Sequence, residues 1–132
     1  MLSTMRWVPL VLLSVLAVAF EPVRSGLVFE NQGCDWSVDQ GRLADALFNP
    51  RHLISYGLFV LLAAVAFPKA RLLAISAAVL IFSALLEVEQ NFLATGHCRL
   101  RDMMPNVIGI AVAAVAIFVV RRFRRAGLAA GT

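Results

Sequence analysis

SALLEVEQNFLATGHCRLRDMMPNVIG, residues 83–109, begins as an apolar helix and then, without a break in helical spacing, collects Glu87, Glu89, Gln90 and Asn91. After a short turn containing Thr95 and Gly96 it delivers Asp102 and Asn106 into the start of a further apolar run. Two apolar segments are thus joined by their polar ends, and those ends gather Glu87, Glu89, Gln90, Asn91, Asp102 and Asn106 into one short stretch.

Working outward, apolar residues make up 61% of the 132-residue chain and the mean hydropathy is +0.83, well above an ordinary soluble domain. The excess lies in four blocks, Trp7 to Phe20, Leu53 to Phe67, Leu72 to Leu86 and Val107 to Val120. Each holds about 14 or 15 residues without a charge, slightly short of the ~20 needed to cross a bilayer. A soluble bundle would need polar outer faces, which these blocks lack. The expectation is an all-α integral membrane bundle of four transmembrane helices, spanning about 5–21, 50–67, 71–92 and 103–121, within a single domain covering 1–132.

A formal net charge of +4 does not point to nucleic acid, because the cations form no patch interleaved with aromatics. Arg121, Arg122, Arg124 and Arg125 directly follow the last apolar block, as a topology signal does. Arg6, the Lys69/Arg71 turn and these terminal arginines share one side under a four-span topology, which places both termini in the cytoplasm. Arg99 and Arg101 fall on the outer side, against that count. The first block, preceded by Arg6 and ending in Ala17-Val-Ala19, also fits a cleavable signal peptide; it is taken here as a retained span.

The longest polar section, Glu21 to Pro50, holds Glu21, Glu30, Asp35, Asp39 and Asp45 against Arg24 and Arg42. Ser37-Val-Asp-Gln40 fits a capping box. Trp36, Leu43, Leu47 and Phe48 form an apolar stripe, so a short amphipathic helix is expected in this outer loop. Asn49 and Pro50 supply an N-cap and first-turn residue for the second span, and Pro68 stops it.

Counting from the cytoplasmic anchors at about 1.5 Å per residue puts His52, Glu87 and Asn106 all roughly 22 to 24 Å along their helices. Tyr56 lies about one turn deeper; Gln90 and Asp102 lie about one turn nearer water. The faces agree with the depths. Ser76, Ser83, Glu87 and Gln90 follow helical spacing on the third span, and Asp102, Asn106, Gly109 and Ala113 on the fourth. Gly109 and Ala113 are a small-xxx-small pair that lets two helices approach closely. An acid facing lipid at this depth costs at least about 2.5 kcal/mol, so Glu87 is expected to face the bundle interior. Three polar stripes meeting in one cleft describe either a ligand or reaction site, or hydrogen-bonded glue between helices.

These residues also carry a resemblance. His52-Leu-Ile-Ser-Tyr56, then Glu87-Val-Glu-Gln90, then Asp102-Met-Met-Pro-Asn106-Val-Ile-Gly109 resemble, in order and spacing, the pattern of the VanZ-like family of small membrane proteins. The similar region runs from about Asn49 to Ala113. The chain departs from the family pattern where Phe48-Asn-Pro-Arg51 precedes the histidine without an acid, and where His97 rather than Arg follows Gly96. The resemblance implies a bacterial inner-membrane protein of the cell envelope, linked to glycopeptide resistance of the teicoplanin type. Its site would open to the extracytoplasmic face and take a membrane lipid or a lipid-linked, phosphate-bearing envelope molecule. Glu87, His52 and Asp102 are the candidate catalytic groups, with Tyr56, Gln90, Asn106, Arg99 and Arg101 as ligand-binding groups. The competing expectation is a non-catalytic accessory subunit with protein partners in the membrane.

No cofactor is expected. His52, Glu87, Asp102 and His97 are acceptable metal ligands, but no pair has a recognised short metal-binding spacing. No nucleophile elbow supports Ser-His-Asp catalysis, and the apolar inner half argues against a transport path. Cys34 and Cys98, the two cysteines, both fall on the outer side, so a disulfide between them is expected, worth about 4 kcal/mol for a loop of about 65 residues. The alternative is two free thiols, one buried against Trp36 and one beside His97.

Overall fold

Four apolar runs become four helices, each with a start or stop written into the neighbouring residues. The computed structural model describes residues 5–24, 26, 28, 33–37, 41, 44, 47, 49–93 and 98–130, with backbone alone at 21, 125 and 127–130. Its helices are α1 (Val8–Arg24), α2 (Pro50–Ala66), α3 (Leu72–Gln90) and α4 (Met103–Ala130), with a 3-10 turn over Leu100–Asp102 leading into α4. Among the described residues there is no strand; an isolated parallel bridge joins Asp35 and Arg99.

Asn49 caps α2 as expected. Its side chain accepts from the Arg51 amide at 3.2 Å, and Pro50 occupies the first turn, where its missing N–H goes unused. At the far end Phe67 N–H still reaches the Ala63 carbonyl (2.8 Å), and Pro68 ends the helix. The first and last helices run past the C-terminal limits of the expected spans. α1 continues through Pro22 to Arg24, and α4 continues through the arginine cluster to Ala130. Arginine and alanine are good helix formers, so the end of the apolar run is not the end of the helix.

Two stretches, Leu72–Gln90 and Leu100–Arg124, are long and apolar enough to cross a membrane. Only 22% and 28% of the residues in their apolar windows are buried, whereas a core helix of a soluble protein is mostly buried. Large apolar side chains face outward along the whole bundle, including Leu73 (82% exposed), Ile54, Leu16, Val115 and Phe123. α2, at 17 residues, is shorter.

Inside, Tyr56, Phe59, Val60, Ala63, Ile75, Val79, Ile110 and Ala113 form the core, with Leu10, Leu13 and Ala17 of α1 laid against it. The most extensive contact is between α2 and α4. The small residues expected at this seam have that role. A methyl group built on Gly109 would lie 3.0 Å from the Leu53 carbonyl carbon and 3.1 Å from its Cα, distances at which the backbones would have to part. Gly57 packs back against the Gly109 carbonyl, where a methyl group would meet that oxygen at 3.4 Å.

The start of α1 meets the end of α2, where Trp7 and Phe67 pack edge to face at 4.2 Å. At the opposite end Cys34 and Cys98 form a disulfide, with their Cα atoms 4.7 Å apart, so the free-thiol alternative falls. Backbone bonds extend the link: Asp35 N–H donates to the Cys98 carbonyl (2.9 Å), and Leu100 N–H donates to the Asp35 carbonyl (3.1 Å). The Ser37 hydroxyl and amide both turn back to the Asp35 carboxylate, the amide at 3.0 Å, an Asx-type turn. Gln40 of the expected capping box, Leu43 and Phe48 of the apolar stripe, and Thr95, Gly96 and His97 of the turn lie outside the described residues. Gly41, Ala44 and Leu47 are helical, and Trp36 is exposed.

Two outcomes follow from these contacts. Gly109→Ala should destabilise the fold by about 1–3 kcal/mol through overpacking at the α2–α4 seam, read as a lower thermal midpoint in detergent; an unchanged midpoint would contradict the close approach. Replacing both cysteines by serine should remove up to about 4 kcal/mol, and the native chain should migrate differently with and without reductant.

Candidate functional site

Gly109 fixes the geometry of the site one turn away from itself. With α4 pressed against the Leu53 backbone, Asn106 is carried to the first turn of α2, where His52 sits. The His52 Nδ1 lies 2.9 Å from Asn106 Oδ1. An amide oxygen only accepts, so Nδ1 is the donor in this bond, and Nε2 is the nitrogen that holds the lone pair whenever the ring is neutral. The Asn106 Nδ2 donates to Ser83 Oγ of α3 at 3.4 Å and approaches the Met103 sulfur at 3.9 Å. Ser83 Oγ in turn donates towards that sulfur at 3.8 Å. Asn106 and Ser83 have no exposed surface. One amide therefore ties three helices together, meeting His52 as the matched depths predict but Ser83, one turn from Glu87, on α3.

Glu87 lies one turn beyond Ser83 on α3 and is 5% exposed. Its Oε2 accepts from the Arg99 backbone N–H at 3.4 Å, and it sits within electrostatic reach of Asp102, the Arg99 side chain and Tyr56. A buried carboxyl with one long hydrogen bond is a costly group to keep, and it faces the bundle interior as expected. The donor that serves it is placed from outside the helices. Arg99 follows the half-cystine Cys98 and bridges to Asp35, so the disulfide holds the Arg99 amide over the end of α3. Arg101 closes the same link with an ion pair to Asp35 at 3.1 Å.

Beside this cluster, α1, α2 and α3 leave a cavity of about 360 Å³. Its polar rim is Arg51, His52, Ser55, Tyr56, Glu89 and Gln90. Its apolar wall is completed by Leu13, Leu16, Ala17 and Phe20 of α1, with Phe59 and Leu86. The Tyr56 ring, 6.3 Å from that of His52, leads inward to Phe59 at 6.0 Å. The space is amphipathic: hydrogen-bonding groups gather where α2 begins and α3 ends, and hydrocarbon lines the remainder.

The expected site residues thus divide by position. His52, Tyr56 and Gln90 border the cavity; Asn106 stands behind His52; Glu87 and Asp102 lie on the Arg99 side and do not line the cavity. Arg99 contributes its backbone amide to Glu87, and Arg101 is engaged by Asp35. Among the described residues no three His, Cys, Asp or Glu side chains are placed to hold a metal ion. Sequence reading missed Glu89, Arg51, Ser55 and the whole contribution of α1. Helical spacing contained the signal: Leu86, Glu89 and Gln90 stand at i, i+3 and i+4, and Leu13, Leu16, Ala17 and Phe20 continue the same rule. The Asp35–Arg101 pair had no such signal, since it depends on the disulfide that brings the two loops together.

No protein-family model, no curated protein and no solved structure matches the chain.

Asn106→Ala would strip His52 and Ser83 of the amide that each now engages. It should cost about 1–3 kcal/mol and more than Ser83→Ala, whose contacts are long; thermal unfolding of both variants in detergent checks the order, and equal effects would mean that Asn106 is not the hub.

Proposed function

We propose that the chain is a multi-pass protein of the bacterial cytoplasmic membrane, with four spanning helices and both termini in the cytoplasm. It binds or modifies an amphipathic envelope component at its extracytoplasmic end. The observation that carries this reading is the cavity between α1, α2 and α3, whose polar rim and apolar wall suit a lipid-linked or phosphate-bearing molecule. The disulfide stands at the same end as the rim, in keeping with an oxidising outer compartment. The arginine-rich end is opposite, in keeping with a cytoplasmic face.

In this reading Arg51 and Gln90 hold the ligand's polar group. Tyr56 orients it, and His52, its ring set by Asn106, offers Nε2 as general base. Glu87, with Arg99 and Asp102, supplies the charged side of the site. The resemblance of His52-x-x-x-Tyr56, Glu87-x-x-Gln90 and Asp102-x-x-x-Asn106-x-x-Gly109 to VanZ-like proteins is the reason to look for a teicoplanin phenotype. A second reading is favoured by one specific observation. The His52–Asn106–Ser83 chain is satisfied within the bundle, as helix-to-helix glue in an accessory subunit would be.

Expression in a susceptible bacterium separates the two. Glu87→Gln and Asp102→Asn should each abolish any gain in teicoplanin tolerance while leaving membrane insertion and the disulfide intact. Full tolerance in both variants would remove the first reading, and a stoichiometric membrane partner that survives mild detergent would support the second.

A further inference from the structure

The end of the bundle opposite the disulfide holds a second, larger cavity, of about 990 Å³. It lies between the α2–α3 turn and the last turns of α4, and Lys69, Arg71, Arg121 and Arg122 all line it. The described acidic residues do not come near. Glu87, Glu89 and Asp102 lie roughly 22 Å or more along the helices from this end, and Asp35 is beside the disulfide. Arg121 is half-buried there, with no acidic side chain of the described residues at its end of the bundle. Half-burying a cation without a counter-charge is costly, and an anion from outside would relieve it.

The surrounding geometry narrows the anion. Arg71 stands at the N-cap of α3, and a guanidinium cannot accept from the first-turn amides; Arg71, Leu72 and Leu73 line the cavity, so the positive end of that helix borders it. The floor is hydrocarbon: Leu72, Leu73 and Phe118, with Leu73 82% and Phe118 58% exposed. A small soluble anion would gain nothing from that floor. A phosphate diester carrying acyl chains would use both parts, its phosphate among the four cations and a chain along Leu73 and Phe118.

We infer that this cavity binds the headgroup of an anionic phospholipid on the face of the membrane away from the disulfide. The site rests on membrane residence but not on what the cavity at the other end binds. Basic pockets between spanning helices are suited to such headgroups, each cation adding about a fewfold in affinity near an anionic surface.

The test uses the purified full chain in neutral detergent, incubated with equal amounts of phosphatidylglycerol and phosphatidylcholine and read by native mass spectrometry. The wild type should retain phosphatidylglycerol over phosphatidylcholine by at least about tenfold. The triple variant Arg71→Gln, Arg121→Gln, Arg122→Gln should fall near parity, while Arg6→Gln, outside the cavity, should keep the preference. Ala126→Trp, which crowds the cavity with the charge unchanged, should weaken it too and guards against misfolding of the triple variant; helix content and an intact disulfide are checked in each. Retention of the preference in both cavity variants, or equal loss in Arg6→Gln, overturns the site. Displacement of the lipid by millimolar inorganic phosphate would assign the cavity to a soluble anion instead and overturn the lipid.

Discussion

The fold depends on one close approach, Gly109 of α4 against the Leu53 backbone of α2. Helices that meet at side-chain distance leave room for rotation and sliding, whereas helices that meet at backbone distance have their register fixed by contact. The consequence is felt one turn away in each direction. Asn106 reaches His52 on one side, and Ala113 and Ile110 join Tyr56, Phe59 and Val60 in the core on the other. Asn106 then extends the constraint to α3 through Ser83. Three helices are thus registered by one glycine and one amide, and the polar groups at their ends inherit that register.

The two ends of the bundle are chemically opposite. At one, the disulfide, the Asp35–Arg101 pair and the Arg99 amide form a rigid link across the polar loops and bring a hydrogen-bond donor to a buried carboxyl. At the other, cations from two turns gather with no acid among the described residues beside them. Between them the surface is hydrocarbon. Such a division allows one end to hold a shaped, mixed-charge cleft while the other meets a negatively charged surface.

Much of this was legible in the sequence, for physical reasons that vary by residue. Asn49-Pro50 and Pro68 mark the limits of α2 because capping and the missing proline N–H are local effects. The depth match of His52 and Asn106 could be read because helix rise is constant, and Gly109 and Ala113 because small residues at helical spacing have few other uses in apolar helices. Cys34 and Cys98 could be paired because the chain has no other cysteine. The roles within the cluster were less legible. Glu87 and His52 share a depth, yet Asn106 is the hub, because side-chain length decides who meets whom and spacing alone does not carry it. The part of α1 in the site was not legible, since its contribution is apolar wall. The ion pair of Arg101 with Asp35 was hidden for a different reason: it is a contact between loops, and loops have no period.

In the proposed function, the cavity beside His52, Tyr56 and Gln90 receives an amphiphile whose polar group lies at that rim. A photoreactive amino acid placed at Leu13, half-buried on the cavity wall, and separately at Leu12, exposed and outside it, tests this in living cells, with the mass of each adduct as the readout. A distinct amphiphile should be captured at Leu13, against bulk phospholipid at Leu12. The same bulk lipid mixture at both positions would contradict it.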